Sequence, residues 1–212
     1  MVSRRVIFWE VDTQVDFMLP GGRLYVPGAE KLLPELRRLT DAARHGEVFL
    51  VSDACVHEPN DPEFQRFPPH CLRGTRGAAI VPEALAGKVL SIPNRAGAEI
   101  PSEFFGVQQI VLEKQTLDVF DNPNTVVVLE RLRGFTDDDA EFVVFGVVTE
   151  YCVRCAAKGL LARGRRVSLV SDAIATLKAT DGDRALAELS GIGARMITTD
   201  EALALVEESQ VR

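Results

Sequence analysis

Long apolar runs are missing from this 212-residue chain. None approaches the roughly 20 residues that span a bilayer, so no membrane partner is expected. A basic stripe is missing too. The formal net charge is -7 and the Lys and Arg residues are scattered, so no nucleic-acid partner is expected either. The opening "MVSRRVIFWEVD" has no apolar signal-peptide core and no small-residue cleavage site, which predicts a cytoplasmic location. Histidine is scarce, with three residues, and cysteine stops at four. A cytoplasmic chain of this size with Cys55, Cys71, Cys152 and Cys155 does not read as a disulfide framework. Each is core filler, metal ligand or nucleophile. There is no internal repeat, low-complexity tract or linker, so residues 1–212 are expected to form one domain. With 46% hydrophobic residues the chain has enough apolar surface for a core.

What is present is an alternation of strand-like and helix-like segments. Residues 4–12 read as a buried strand, "GAEKLLPELRRLTDAARHG" as a helix ending at Gly46, and residues 47–53 as a second strand. Residues 54–79 form a Pro-, His- and acid-rich loop without apolar period, a length that in a compact domain marks function or disorder. "KVLSIPN" and "GVQQIVLEKQ" are further strands, separated by a short segment around "SEFF". "NPNTVVVLERLRG" reads as a helix. "EFVVFGVVT", "RRVSLVSDAIA" and "ARMITTD" read as the last strands, with helices from near Tyr151, Asp181 and Glu201. Continuous apolar strands alternating with helices predict an α/β fold: a Rossmann-like three-layer sandwich around a mainly parallel sheet of about six strands.

In such sheets ligands sit beyond the strand C-termini, and reactive side chains gather there. Asp12 ends the first strand, Asp53 the second, Lys114 the fourth, and Cys152 follows the fifth. A thiol is mostly neutral at pH 7, and a helix N-terminus, a cation and a proton acceptor each help it to ionise. Asp12 and Lys114 are the acid and cation that end neighbouring apolar strands. They suggest a set in which Asp12 takes the Cys152 proton and Lys114 stabilises the thiolate. The N–H groups of Cys152 and the preceding turn suit an oxyanion hole. Singly, each residue has a plainer reading: a core thiol, a helix cap, a solvated lysine. Cys152-x-x-Cys155 also fits a redox or half-zinc motif. A redox motif belongs after the first strand of a smaller sheet, however, and Cys55 and Cys71 are wrongly spaced for the second zinc pair.

Four ordered segments carry a resemblance. "VDTQVDFMLPGGRL" (11–24), "FPPHCLRGTRGAAI" (67–80), "VLEKQTLDVFDNPN" and "GVVTEYCVRCAAKGLLARG" resemble the isochorismatase-like cysteine hydrolases, the superfamily that includes nicotinamidases. The resemblance runs nearly end to end. It implies a triad of Asp12, Lys114 and Cys152. It also implies a cis peptide between Val147 and Val148 that aims the Val148 N–H into an oxyanion hole beside that of Cys152. Phe17 and Phe67 fall where the family places aromatic walls for a flat substrate ring, and Leu19, Leu117, Phe120 and Tyr151 are further candidates for the pocket.

Nicotinamidases hold a divalent ion with an Asp, a His two positions later and two further histidines. By resemblance Asp53 matches the first ligand and His70 the last. The middle departs: Cys55 stands two positions after Asp53, and the histidine is His57, as though two residues had been inserted. Glu63 stands where the third ligand belongs. Asp53, His57, His70 and Glu63 are thus the expected shell for Zn²⁺, Mn²⁺ or Fe²⁺, with no nucleotide cofactor. His45, at a helix end, reads as a surface residue. The implied activity is hydrolysis of a small amide through a thioester, with nicotinamide to nicotinate first. Another small-amide or carbamoyl hydrolase, or a metal-free isochorismatase-type hydrolase, comes next. A non-catalytic scaffold is the reading from a different class. The implied partner is a small amide, and the family suggests a homodimer or homotetramer.

Overall fold

Seven strands build one sheet: β1 (Arg4–Val11), β2 (Phe49–Cys55), β3 (Val89–Ile92), β4 (Gln109–Lys114), β5 (Thr136–Val147), β6 (Arg166–Ala175) and β7 (Arg195–Ile197). The structure is a computed structural model and describes residues 4–102, 104, 106–133 and 136–210. The order across the sheet is β3-β4-β2-β1-β5-β6-β7. Every neighbouring pair is parallel. All seven segments expected as strands are strands of this sheet, in keeping with an expected sheet of about six. Parts of two expected segments, Glu103 and Phe105 of "SEFF" and Gly134 after the Val-rich helix, lie outside the described residues.

The helices are α1 (Val15–Met18), α2 (Leu33–Arg44), α3 (Asn124–Leu132), α4 (Arg154–Ala162), α5 (Ala179–Gly191) and α6 (Thr199–Gln210). Strand residues alternate between two cores, as the two-residue period requires. Phe8, Leu50, Val143 and Phe145 meet Leu36 and Leu39 of α2 and Val206 of α6. Ile7, Trp9, Val51, Ile110 and Val144 meet Leu129 of α3, Leu160 of α4 and Leu189 of α5. Among the described residues no helix is long and apolar enough to cross a membrane.

Two features of this winding place the site. The chain builds outward from β1 through β2, and α3 then carries it back to lay β5 on the other flank of β1. The C-terminal ends of β1, β2, β4 and β5 therefore surround the point where the winding reverses, which is where open sheets leave a crevice. At that point β5 shifts register between Val144 and Gly146. Gly146 has φ 113°, and a Cβ there would lie 2.1 Å from the Val11 carbonyl oxygen. Only glycine lets β5 bend so closely past the end of β1.

Glu10, on β1, is fully buried within the sheet. Its Oε2 accepts hydrogen bonds from Ser52 Oγ at 2.6 Å and Gln109 Nε2 at 3.1 Å, while Oε1 has no partner. Burial pushes its carboxyl from the ordinary 4.5 up to about 8, although the Ser52, Thr13 and Gln109 hydrogen bonds pull it down. Between those two values the folded chain keeps a proton that the unfolded chain has released. Stability from this group is therefore complete below the lower value and falls as pH rises, by at most about 1.4 kcal/mol per pH unit. Urea unfolding of Glu10→Gln at about pH 5 and about pH 8 should give a smaller difference between the two conditions than the parent chain does. An unchanged difference would show that Glu10 is ionised in the fold.

Candidate active site

Lys114, the last residue of β4, is completely buried. Its Nζ lies 2.7 Å from Asp12 Oδ2, 3.0 Å from Cys55 Sγ, 3.5 Å from Cys152 Sγ and 3.7 Å from Asp53 Oδ1. Asp12, Lys114 and Cys152 thus converge from three different strand ends. Burial alone would pull the ammonium's pKa down. The charges of Asp12, Cys152, Cys55 and Asp53 outweigh that and hold Lys114 well above the usual lysine range.

Each of these residues is fixed by local backbone. Asp12 closes β1 with φ 49°, a left-handed conformation that aspartate tolerates better than most residues. Its N–H donates to the Asp53 carbonyl at 3.0 Å. Cys152 lies in a wide helical turn, Thr149–Val153, that precedes α4 rather than in the first α-helical turn expected from sequence. This turn is tied to the end of β6: Thr149 Oγ1 donates to the Ala175 carbonyl at 2.8 Å, and Leu177 and Lys178 N–H each donate to the Glu150 carboxylate at 3.0 Å. The peptide bond between Val147 and Val148 is cis.

The electrostatics differ from expectation at Cys152. Its thiol is raised well above the ordinary range by its hydrogen bond with Cys55, by burial and by the Asp12 charge, against the pull of Lys114. Cys55 is lowered by the Cys152 hydrogen bond, and by Lys114, His57 and His70, despite burial. The two sulfurs beside Lys114 are thus pulled in opposite directions, Cys55 toward the thiolate and Cys152 toward the thiol. Asp12 is raised to about 7 by burial and by the Cys55 charge, although Lys114 and Cys152 lower it. Near neutrality that is a suitable acceptor for a thiol proton.

Beside this set lies a second cluster. Ligand atoms of Cys55, His57 and His70 fall within 4.8 Å of one another, and those of His57, Asp61 and Glu63 do likewise. His57 Nδ1 pairs with Asp61 Oδ2 at 2.9 Å, and His70 Nδ1 with the Pro68 carbonyl at 2.9 Å. Those partners fix the imidazoles as metal-binding histidines are fixed. His57 Nε2 and Glu63 Oε2 are buried with no hydrogen-bond partner. Burial alone would depress His57, but Cys55 and Asp61 hold it up to about 9. Unpartnered imidazole and carboxylate atoms beside a buried sulfur suit a divalent ion.

Asp53, expected among the ligands, stands apart from both groups. It accepts from the Trp9 indole N–H at 2.9 Å and faces Lys114, and burial raises its carboxyl well above the usual range. Cys55, two residues on, occupies the place beside the histidines, so no inserted residues are needed. Cys55 was not in the expected shell, although its spacing of two before His57 was an available signal. Gln14 was missed as well. Its side chain accepts from the Cys55 N–H at 2.8 Å and donates to the Cys55 and Ala78 carbonyls, both at 2.7 Å. Asp16 Oδ2 accepts from Cys71 N–H at 2.7 Å. Together they clamp the 54–79 loop over the sheet.

Aromatic rings wall the cluster. Phe17 lies 5.3 Å from the His70 ring centroid, and Phe67 lies 6.5 Å from His70 and 6.0 Å from Tyr151. Leu19 packs on the α2 side of the sheet, and Leu117 on the α4 side. Phe120 is taken up elsewhere: it stacks on Trp9 at 6.3 Å, lies under the Arg163 guanidinium at 3.8 Å and abuts Gly159.

A family model described as "Isochorismatase domain" matches residues 91–201. The nicotinamidase/pyrazinamidase of Mycobacterium tuberculosis (strain ATCC 25618 / H37Rv) is 27% identical over 186 residues, covering 84% of this chain and 91% of that protein. The solved structure of pyrazinamidase of Pyrococcus horikoshii in complex with zinc is 25% identical with a TM-score of 0.71, covering 92% of this chain and 99% of that one. N-carbamoylsarcosine amidase from Thermoplasma acidophilum is also 25% identical, with a TM-score of 0.70 and coverage of 92% and 97%. The family model, the sheet order and the cluster at the strand ends together place the chain in the isochorismatase family of hydrolases.

Proposed function

We propose that this chain is a cysteine hydrolase of small amides, with nicotinamide to nicotinate and ammonia as its reaction. One observation carries the reading: Lys114 Nζ, buried at the strand ends, sits 2.7 Å from Asp12 and 3.5 Å from Cys152. Asp12 takes the Cys152 proton as the sulfur attacks the amide carbon. The resulting oxyanion is received by the N–H groups of Val148 and Cys152. As the C–N bond breaks, Asp12 returns the proton to the leaving ammonia, and a thioester remains on Cys152. Asp12 then deprotonates a water that attacks the thioester, and the thiol is restored with the same proton. Lys114 keeps the carboxylate of Asp12 in place and offsets charge on sulfur throughout.

Phe17 and Phe67, both beside His70, supply the walls for a flat ring. His57 and His70, with Glu63, would hold a divalent metal. Bound there, it would supply Lewis-acid polarisation beside the thiol. The Mycobacterium tuberculosis relative supports a ring amide, and the Thermoplasma acidophilum structure supports a carbamoyl compound as the second reading.

Ammonia release across nicotinamide, pyrazinamide and N-carbamoyl amino acids separates these readings. Nicotinamide should be turned over fastest, and Cys152→Ala should lower the rate by about a thousandfold or more. Turnover that survives in Cys152→Ala would overturn the thioester route. Preference for a carbamoyl substrate would move the assignment to the second reading.

The same geometry bears on stability. Lys114→Met leaves buried carboxylates uncompensated and should cost about 3–5 kcal/mol in urea unfolding. Adding Asp12→Asn should recover much of that loss. If the double variant were as unstable as the single one, charge compensation would not be what holds Lys114 in place.

A further inference from the structure

We propose that Cys55 is itself a metal ligand: its thiolate joins His57 and His70 in a sulfur-and-nitrogen site for a thiophilic divalent ion of the zinc class. This rests on the metal part of the reading above, and goes beyond it by giving sulfur the place that the family resemblance allots to a carboxylate.

The surroundings of Cys55 are not those of a core thiol. It is buried, yet Sγ faces the Lys114 ammonium at 3.0 Å and shares a ligand cluster with both imidazoles. Its backbone is held on both sides by Gln14, and its N–H also donates to Asp12 Oδ1 at 3.2 Å. The sulfur is thus presented by a rigid strand end, as a preorganised ligand should be. Both histidines have their Nδ1 atoms engaged elsewhere, which leaves Nε2 to face the ion. His57 Nε2 has no other partner. Glu63 Oε2, also without a partner, is the nearby carboxylate available as a fourth donor.

Ligand chemistry then fixes the class of ion. Thiolate and imidazole suit Zn²⁺ and Co²⁺, whereas Mg²⁺, Ca²⁺ and Mn²⁺ favour carboxylates, carbonyls and water. Binding replaces the proton on the thiol, which is released to solvent, and Lys114 continues to donate to the coordinated sulfur. A Cys at this position therefore keeps the hydrogen bond to Lys114 while making the site softer.

Cobalt(II) added to chelator-stripped full-length protein tests this without reference to activity. One equivalent should produce visible bands together with an intense near-ultraviolet thiolate-to-cobalt band, in the parent chain and in Cys152→Ser alike. Cys55→Asp should keep the visible bands and lose the near-ultraviolet one. Visible bands without the near-ultraviolet band in the parent chain would overturn the proposal and leave the metal reading standing. A band that survives in Cys55→Asp but disappears in Cys152→Ser would assign the sulfur to the nucleophile and also overturn it. No bound cobalt in any form would remove the metal reading itself. Should Cys55→Asp fail to fold, zinc-edge X-ray absorption on the parent chain and on Cys152→Ser decides the same question. It should find one sulfur at roughly 2.3 Å in both, and a shell of nitrogen and oxygen alone would exclude Cys55.

Discussion

An ammonium with no access to water stands at the centre of this molecule. Lys114 is fully buried, and a lone charge there would cost many kcal/mol. It is tolerated because Asp12, Asp53 and two sulfurs lie within 3.7 Å of Nζ. Four strand ends must meet for that to happen. The ammonium therefore acts as a constraint on the fold: β1, β2, β4 and β5 need the registers they have, or a carboxylate or the ammonium is left unpaired.

The sheet and the long loop divide the remaining work. The sheet supplies Asp12, Asp53, Cys55 and Lys114 on rigid backbone. The loop supplies His57, Glu63, His70 and Phe67, with little regular structure beyond one helical turn at Pro62–Gln65 and a bridge from His57 to Leu72. Its order comes from clamps reaching up from the segment after β1. Gln14 holds Cys55 and Ala78, and Asp16 holds Cys71. A Cβ on Gly77 would meet the Asp16 carboxylate at 2.2 Å, which measures how tightly loop and clamp are packed. The polar residues in "DTQVDF" thus have separate tasks, with Asp12 facing Lys114 while Gln14 and Asp16 fasten the loop.

Much of this was legible in the sequence because period and punctuation are local. The apolar strands, the helices between them and the position of reactive residues at strand ends all follow from patterns within a dozen residues. The cis peptide at Val147 came from the resemblance and is present. Two readings stop at the segment that suggested them. Asp53 was expected as a metal ligand and Cys152 as a thiolate, each judged from its own stretch of chain. Asp53 is claimed by Trp9, 44 residues away, and Cys152 is raised by Cys55, a neighbour brought in by a different strand. Phe120 was placed in the pocket for the same reason, when its ring belongs to the packing of Trp9 and α4. Side-chain competition of this kind is tertiary, and no spacing rule carries it.

Cys55 joins the two halves of the site, and charge explains why that junction matters. One ammonium faces Asp12, Asp53 and the Cys55 sulfur, with Glu63 close by. Four groups that are negative when ionised exceed what a single positive charge balances. Without a metal, protons make up the difference. Burial raises Asp12, Asp53 and Glu63, and the charge on Cys55 raises both histidines against the pull of burial. A divalent ion would supply the same balance through the same lone pairs, so metal and protons would compete for Cys55, His57 and His70. The cluster is thus built for positive charge whichever form it takes. A thiol at position 55 contributes to that balance from both sides, because one sulfur lies beside both the Lys114 ammonium and the His57 and His70 imidazoles.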